Sequence, residues 1–245
     1  MLDILHKLRN IIEDSDNIVF FGGAGVSTES NIPDFRSDKG IYNTKSKFPY
    51  PPEVMLSHTF YKEHTEEFFS FYREKMIYKD AKPNKAHFAL ASLEKMGKLK
   101  GIITQNIDGL HQMAGSKNVI ELHGSVHRNY CSKCGKFYPL EHILNSKDIV
   151  PTCEDCGGVV KPDVVLYEES LDMDNIEKAV KLIKKADVLI VGGTSLVVYP
   201  AANMVNYYTN NKLVLINKEE TSQDGRADLV IHSPIGIVLS QVVEL

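Results

Sequence analysis

Residues 101–124 read GIITQNIDGLHQMAGSKNVIELHG and gather reactive side chains into one short stretch. Gln105, Asn106 and Asp108 follow the apolar run Gly101-Ile102-Ile103-Thr104. His123 ends a second run, Asn118 to Leu122. An amide pair and a carboxylate can orient a polar ligand. An imidazole can move a proton near neutral pH. Short apolar runs of this kind read as buried parallel strands. An open α/β sheet places its ligand just beyond the carboxyl ends of such strands. The plainer reading has Asn106 and Asp108 capping a helix and His123 satisfied in the core.

A second group of reactive residues is Cys131, Cys134, Cys153 and Cys156, in the pattern C-x2-C-x18-C-x2-C. That spacing matches a zinc ribbon. Four thiolates close a tetrahedron and leave no position for water or substrate, so the expected zinc is structural. A thioredoxin-like redox pair is the rival reading. Lys133, Lys136 and Lys147 are offset by Glu141, Asp148, Glu154 and Asp155, so the ribbon is expected to brace the fold rather than bind nucleic acid.

The elements that position these residues can be read in chain order. Residues 2–13 carry apolar side chains at helical spacing. Asn17 to Phe21 reads as a strand that runs into Gly22 to Thr28, GGAGVST. Such glycines allow a tight turn and close approach of backbone to ligand, and the helix N-terminus that follows can hold a phosphate. Gly23-Ala24-Gly25 is half of a dinucleotide fingerprint, with Thr28 where its third glycine would be. A nicotinamide dehydrogenase needs a second strand ending in an acid about 20 residues on. Ser37 to Val54 is instead rich in Pro, Ser and Lys and reads as a loop.

His58 to Met76 is expected to form one aromatic helix, and a further helix should run from Pro83-Asn84 to about Met96. Strands are expected at Val164 to Tyr167, Asp187 to Val191, Leu213 to Ile216 and Asp228 to Ile231. Helices are expected at Asp174 to Lys185, Ala201 to Tyr208 and Ile235 to Val243. Alternating strands and helices predict an α/β fold, a Rossmann-like parallel sheet with helices on both faces. Residues 1–37, 81–126 and 161–245 would form it. Insertions at 38–80 and 127–160 would meet as a small helical and zinc-ribbon domain, with the ligand in the cleft between.

Composition sets outer limits. The chain has 245 residues, 43% hydrophobic and 24% charged, which is ordinary for a globular protein. A net charge of -4 gives no global attraction for nucleic acid or acidic membranes. No run is long enough to span a membrane, and the amphipathic, acid-containing N-terminus is no secretory signal. The expectation is a cytoplasmic protein, taken as a monomer.

Six features together resemble the sirtuins, NAD-dependent protein deacylases. They are GAGVSTESNIPDFR (Gly23 to Arg36), TQNID (Thr104 to Asp108), ELHG (Glu121 to Gly124), the four cysteines, KPDVV (Lys161 to Val165) and GGTSLVVYPAA (Gly192 to Ala202). The motifs follow the family's order and cover the chain from about residue 15 onward. The resemblance implies NAD as co-substrate and one structural zinc. An acyl-lysine protein or peptide would enter from the opposite side. The acyl oxygen attacks C1′ of the nicotinamide ribose, nicotinamide leaves, and the ribose 2′-hydroxyl then attacks the acyl carbon. Free lysine and 2′-O-acyl-ADP-ribose result. An ADP-ribosyltransferase or NAD glycohydrolase using the same pocket is the alternative.

By this resemblance His123 is the general base, and Asn106 with Gln105 holds the nicotinamide ribose. Ala24, Ile107 and Asp108 line the nicotinamide pocket, and Phe35 covers the ribose beside Arg36. Gly23, Gly25 and Thr28 belong to the first phosphate loop and Gly193, Thr194 and Ser195 to the second. Asn217 and Lys218 lie at the adenosine ribose and Ile235 near the adenine. Val165, Leu166 and Tyr167 line the acyl-lysine tunnel.

Three positions depart from the family pattern. Asn31 replaces a usual Gly. Tyr167-Glu168-Glu169 stands where Phe-Gly-Glu is usual. The adenine end near Pro234-Ile235 matches no sharp motif. Members that prefer succinyl or malonyl groups carry Tyr and Arg at the spacing of Tyr72 and Lys75. Lys in place of Arg loses the bidentate grip on a carboxylate, so acetyl preference is expected.

Overall fold

The computed structural model describes residues 2–43, 47–210 and 212–243. Its largest element is a parallel sheet of six strands in the order β3-β2-β1-β7-β8-β9. These are β1 (Ile18–Gly22), β2 (Leu99–Thr104), β3 (Val119–Glu121), β7 (Val188–Gly192), β8 (Leu213–Asn217) and β9 (Leu229–His232). Every residue of β1 and β7 is buried. A strand covered on both faces must be apolar throughout, which is why IVFFG and VLIVG read as unbroken runs.

From β1 the chain steps one way to β2 and β3, then returns to build β7, β8 and β9 on the other side. The crevice at that reversal is where an open α/β sheet binds its ligand.

Helices cover both faces. On one, α1 (Leu2–Glu13), α5 (Lys85–Lys95) and α9 (Ile235–Val242) pack on Phe20, Ile102, Ile190 and Val214. The apolar stripe of α1, Leu5, Leu8 and Ile12, is what it buries. The α5 N-terminus is fixed by Asn84, whose side chain accepts from Ala86 N–H while His87 Nδ1 accepts from Asn84 N–H. On the other face lie α8 (Met173–Lys185) and a 3₁₀ segment, Ala201–Tyr207.

A third core forms away from the sheet. It joins α2 (Pro52–Met55), α3 (His58–Glu63) and α4 (Thr65–Lys75) to α7 (Leu140–Asn145) and an antiparallel sheet of β4 (Gly124–Cys131), β5 (Phe137–Tyr138) and β6 (Val160–Val164). The short α6 (Leu110–Met113) connects β2 to β3 and packs against α5.

Four expectations need correction. The strand placed at Val164 to Tyr167 is β6, Val160–Val164, and it pairs antiparallel with β4. Its burial alternates, as suits a strand with one wet face. The single helix at His58 to Met76 breaks at His64, with φ -131° and ψ 53°. Tyr61 and Phe68 stand seven positions apart, roughly 10 Å along a straight helix. The break brings their rings to 5.1 Å. The loop at Ser37 to Val54 runs into α2, with proline near its start as helices prefer. Ala201 to Tyr208 is 3₁₀ rather than α-helical. Asn31 occupies the left-handed region at φ 62°, which Asn tolerates better than most residues.

Beneath the site, His87 and His111 are fully buried with ring centroids 4.8 Å apart. His87 Nε2 and both His111 nitrogens have no hydrogen-bond partner among the described residues. Burial holds the His87 pKa down at about 4. Burial, and then His87 itself, hold His111 at about 3. The unfolded chain therefore binds more protons than the folded one at acid pH. This contribution to stability is complete above the ordinary value of 6.5 and is lost as pH falls toward 4 and 3. At pH 5 the expected loss is about 2 kcal/mol for each ring. Urea midpoints at pH 7.5 and 5 measure it. His111→Phe should remove roughly half of this acid sensitivity; an unchanged pH dependence would contradict the assignment.

Candidate active site

The strands end together, and the residues just beyond them form one cleft of about 760 Å³. That lies within the usual size of a small-molecule site. After β1 the chain makes two 3₁₀ turns, Ala24–Val26 and Thr28–Ser30. Gly25 N–H donates to the Gly193 carbonyl at 2.8 Å, which ties the β1 turn to the β7 turn. A Cβ on Gly25 would lie 2.8 Å from Gly193 Cα, so only glycine permits this approach. Thr194 N–H donates to Asn217 Oδ1 at 3.0 Å, and Asn217 Nδ2 donates back to the Thr194 carbonyl. Gln105 Nε2 donates to Thr194 Oγ1 at 3.0 Å. Four strand ends are thereby locked into one surface. Lys218, Ser195 and Ile235 lie along the same wall.

At the other end, Asn106 Nδ2 donates to Ser27 Oγ at 3.0 Å, and Ser27 Oγ donates to Asp108 Oδ2 at 2.6 Å. Asp108 Oδ1 accepts from Leu110 N–H at 2.9 Å. Burial raises the Asp108 pKa, while the Ser27 hydroxyl and the Leu110 N–H oppose that rise. The backbone around it is held as well, since His127 Nε2 lies 3.1 Å from the Asp108 carbonyl.

His123 leaves β3 and lines the cleft. Its Nδ1 lies 3.0 Å from the Gln105 carbonyl. A carbonyl only accepts, so Nδ1 carries the hydrogen and Nε2 keeps the lone pair. Burial pushes the His123 pKa down, and the Gln105 contact partly offsets it. The ring is therefore a neutral base at neutral pH, of fixed tautomer.

Phe35, Arg36, Val165, Leu166 and Tyr167 also line the cleft. Lys75 lies on its wall, but Tyr72 does not. Tyr72 is fully buried, its ring stacked on Phe68 at 5.7 Å. The two residues share a helix, but the aromatic core claims one of them. Tyr72 is thus withdrawn from the substrate wall. Ser27 and His127 line the cleft as well, and Tyr42 bonds to Tyr167 on its wall; the motifs assign none of the three a role. Ser27 lies inside GAGVST beside Thr28, but nothing in that string marks its hydroxyl as the one that meets Asp108.

The four cysteine sulfurs lie within 4.8 Å of one another, and no disulfide joins them. Cys131 and Cys156 Sγ are 3.4 Å apart, Cys134 and Cys153 3.7 Å. A zinc–sulfur distance of about 2.3 Å implies a tetrahedral edge of about 3.8 Å, so the donor set fits zinc. A Cβ on Gly158 would come 2.9 Å from Cys131 Sγ, so the turn stays clear of side chain there. Tyr138 hydroxyl donates to Cys153 Sγ at 3.2 Å, the outer bond expected around a thiolate ligand.

A family model described as Sir2 family matches residues 23–200. A Clostridium tetani protein described as an NAD-dependent protein deacetylase is 68% identical over 243 residues, covering 99% of this chain and 98% of that protein. A Cutibacterium acnes protein of the same description is 55% identical, covering 96% of each. A solved structure described as a Sir2 complex with a p53 peptide and NAD+ superposes with a TM-score of 0.86 at 39% identity, covering 97% of this chain and 96% of that one. With its sheet reversal, its cleft and its cysteine cluster in the places the motifs imply, the chain belongs to the Sir2 family.

Proposed function

We propose that the protein is an NAD-dependent protein lysine deacylase, mainly a deacetylase, releasing nicotinamide, 2′-O-acetyl-ADP-ribose and free lysine. The observation that carries this reading is His123, with Nε2 free as a base in the cleft. The names of the close relatives support it. When bound, NAD supplies an electrophilic ribose carbon with a good leaving group.

The chain's residues divide the work. Asp108 accepts from the nicotinamide carboxamide, held in place by Ser27, with Ala24 and Ile107 alongside. Asn106 and Gln105 orient the ribose. His123 Nε2 takes the proton of the ribose 2′-hydroxyl. The paired turns at Gly23–Gly25 and Gly193–Ser195, with Thr28, receive the diphosphate; the N–H groups of Gly25, Gly193 and Thr194 hold the turns in shape for it. Arg36 adds a cation, and Phe35 covers the ribose. Asn217, Lys218 and Ile235 take the adenosine end. Val165, Leu166 and Tyr167 form an apolar wall that suits a neutral acyl-lysine and disfavours the charged product.

The same reading divides the chain into a dinucleotide-binding domain, 1–37, 81–126 and 161–245, and a small zinc domain, 38–80 and 127–160. It also makes the protein a cytoplasmic monomer acting on acyl-lysine proteins. Among the described residues no helix is long and apolar enough to cross a membrane.

Acyl choice follows from Lys75. Its ammonium lies 3.2 Å from Glu74, which also pairs with Lys47 at 2.6 Å. A cation so engaged is a poor grip for an acidic acyl group, and Lys lacks the planar fork of Arg. The test is to incubate the protein with NAD and one peptide carrying acetyl, butyryl or succinyl lysine, with products identified by mass spectrometry. Acetyl-ADP-ribose and free lysine are expected, with kcat/KM higher for acetyl than for succinyl. Free ADP-ribose or ADP-ribosylated protein without deacylated peptide would favour a glycohydrolase or transferase. A succinyl value above the acetyl value would overturn the acyl assignment.

A further inference from the structure

The two walls of the cleft are built differently. The wall at residues 166–169 is stitched to the start of α3 at several points. Tyr167 N–H donates to the Leu56 carbonyl, and His58 N–H donates to the Tyr167 carbonyl, both at 3.0 Å. Glu168 accepts from Thr59 N–H at 2.8 Å and from Thr59 Oγ1 at 2.7 Å. Those bonds help hold Glu168 at φ 74°, a left-handed conformation that Glu adopts only under constraint. Glu169 lies 2.8 Å from His58 Nδ1 and accepts from Leu166 N–H.

The facing segment, residues 34–43, buries Ile41 in the third core with Phe35 and Tyr42 packed against it, and much of its hydrogen bonding is internal. Tyr42 N–H donates to the Phe35 carbonyl at 2.9 Å, and the two rings meet edge-on at 5.5 Å. The Arg36 guanidinium lies 5.3 Å above the Tyr42 ring. Asn43 Nδ2 donates to the carbonyls of Arg36 and Ser37. Whatever fixes Tyr42 therefore fixes Phe35 and Arg36.

A side-chain bond crosses from this segment to the stitched wall. The hydroxyls of Tyr42 and Tyr167 lie 2.5 Å apart. Burial, and next the Tyr167 hydroxyl, push the Tyr42 phenol up, so the Tyr42 hydroxyl keeps its proton, and one hydroxyl of the pair donates to the other. The usual Phe at position 167 in the family pattern would lack this hydroxyl.

We propose that Tyr42 and Tyr167 are positioning residues: their hydroxyl pair anchors the Phe35–Arg36 segment to the acyl-lysine wall, so that the acyl side of the cleft sets the affinity for NAD. This rests on the deacylase reading for its substrates, but the bond also predicts NAD binding measured without peptide. Tyr167 sits on the wall opposite the cofactor segment, so its hydroxyl has no reason to affect NAD unless the pair acts as a unit.

The test is a double-mutant cycle with Tyr42→Phe, Tyr167→Phe and the double variant. Each single change keeps the ring and removes one hydroxyl, and Phe at 167 is the family's usual residue. Each should weaken NAD, by KM at saturating acetyl-peptide and by calorimetric Kd without peptide, about two- to tenfold, the worth of one hydrogen bond. The double variant should be no weaker than the worse single variant. KM for NAD should rise more than kcat falls, with thermal stability within about 2 °C of wild type. Additive effects, an unchanged NAD Kd, or a Tyr167→Phe effect confined to peptide KM would overturn the proposal. Loss of deacylation in the wild type itself would sink the functional reading, while the calorimetric cycle would still decide the latch.

Discussion

His123→Ala is expected to lower deacylation by about 10²- to 10⁴-fold, the usual worth of a positioned base. NAD affinity should change by less than about tenfold, because His123 offers a bound ligand at most one hydrogen bond. The split follows from the geometry. The ring hangs from the Gln105 carbonyl through Nδ1, and none of the Ser27, Asn106, Asp108 chain passes through it. Removing it leaves the nicotinamide end assembled. Cleavage of the glycosidic bond needs no proton acceptor, whereas attack by the ribose hydroxyl does. Exchange of labelled nicotinamide into NAD should therefore survive in the variant when acetyl-peptide is present. The pH profile adds an independent check. Burial lowers the His123 pKa, so the basic form persists below the ordinary value of 6.5 and the acid limb of kcat/KM should fall below that pH. Product formation near the wild-type rate in His123→Ala, or exchange lost in step with deacylation, would remove His123 from the role of base.

Much of this site was legible because its residues sit at the ends of unbroken apolar runs. Gly22, Thr104 and Gly192 each close such a run, and the residues after them meet at the sheet reversal. Where structure departs from periodicity, the reading failed for identifiable reasons. Ser27 and Asp108 are 81 positions apart, and no local pattern announces a hydroxyl that will stand between two other side chains. The Tyr42–Tyr167 pair spans 125 positions and lies in segments without regular structure. β5 has two residues, too few for any alternation to show. β6 contains Pro162, which argues against a central strand, and β6 is an edge strand of the small antiparallel sheet. Tyr72 was misplaced because helical spacing says which residues share a face but not which neighbours that face meets. Here Phe68 and the aromatic core take it.

Removing zinc is expected to unfold residues 127–160 locally and leave the parallel sheet standing. Cys131 and Cys153 belong to the third core, which also contains Phe68, Tyr138 and Val160, and Cys156 packs against it. The other backbone ties here are short ladders, with β4 paired to β6 at five positions. β5 pairs with β4 over two residues, and β4 itself shifts register against β6 between Ser125 and Asn129. The metal's binding free energy is folding free energy for such a module, on the order of 10 kcal/mol in isolated zinc-binding peptides. The sheet has two cores of its own, on either face, that contain none of the four cysteines. Loss of the metal should therefore be felt unevenly. Hydrogen exchange is the measurement. On chelation, or in the Cys153→Ser, Cys156→Ser double variant, amides in residues 127–160 should lose protection by several orders of magnitude while those of β1 and β7 keep theirs. The α3–α4 segment, which shares the third core, should be affected next, and with it the wall that carries Tyr167, through Leu56 and His58. Deacylation should then fall although no ligand of the metal touches the cleft. Metal analysis finding less than about one zinc per four thiolates, or protection unchanged after chelation, would show that the cysteines hold no structural ion.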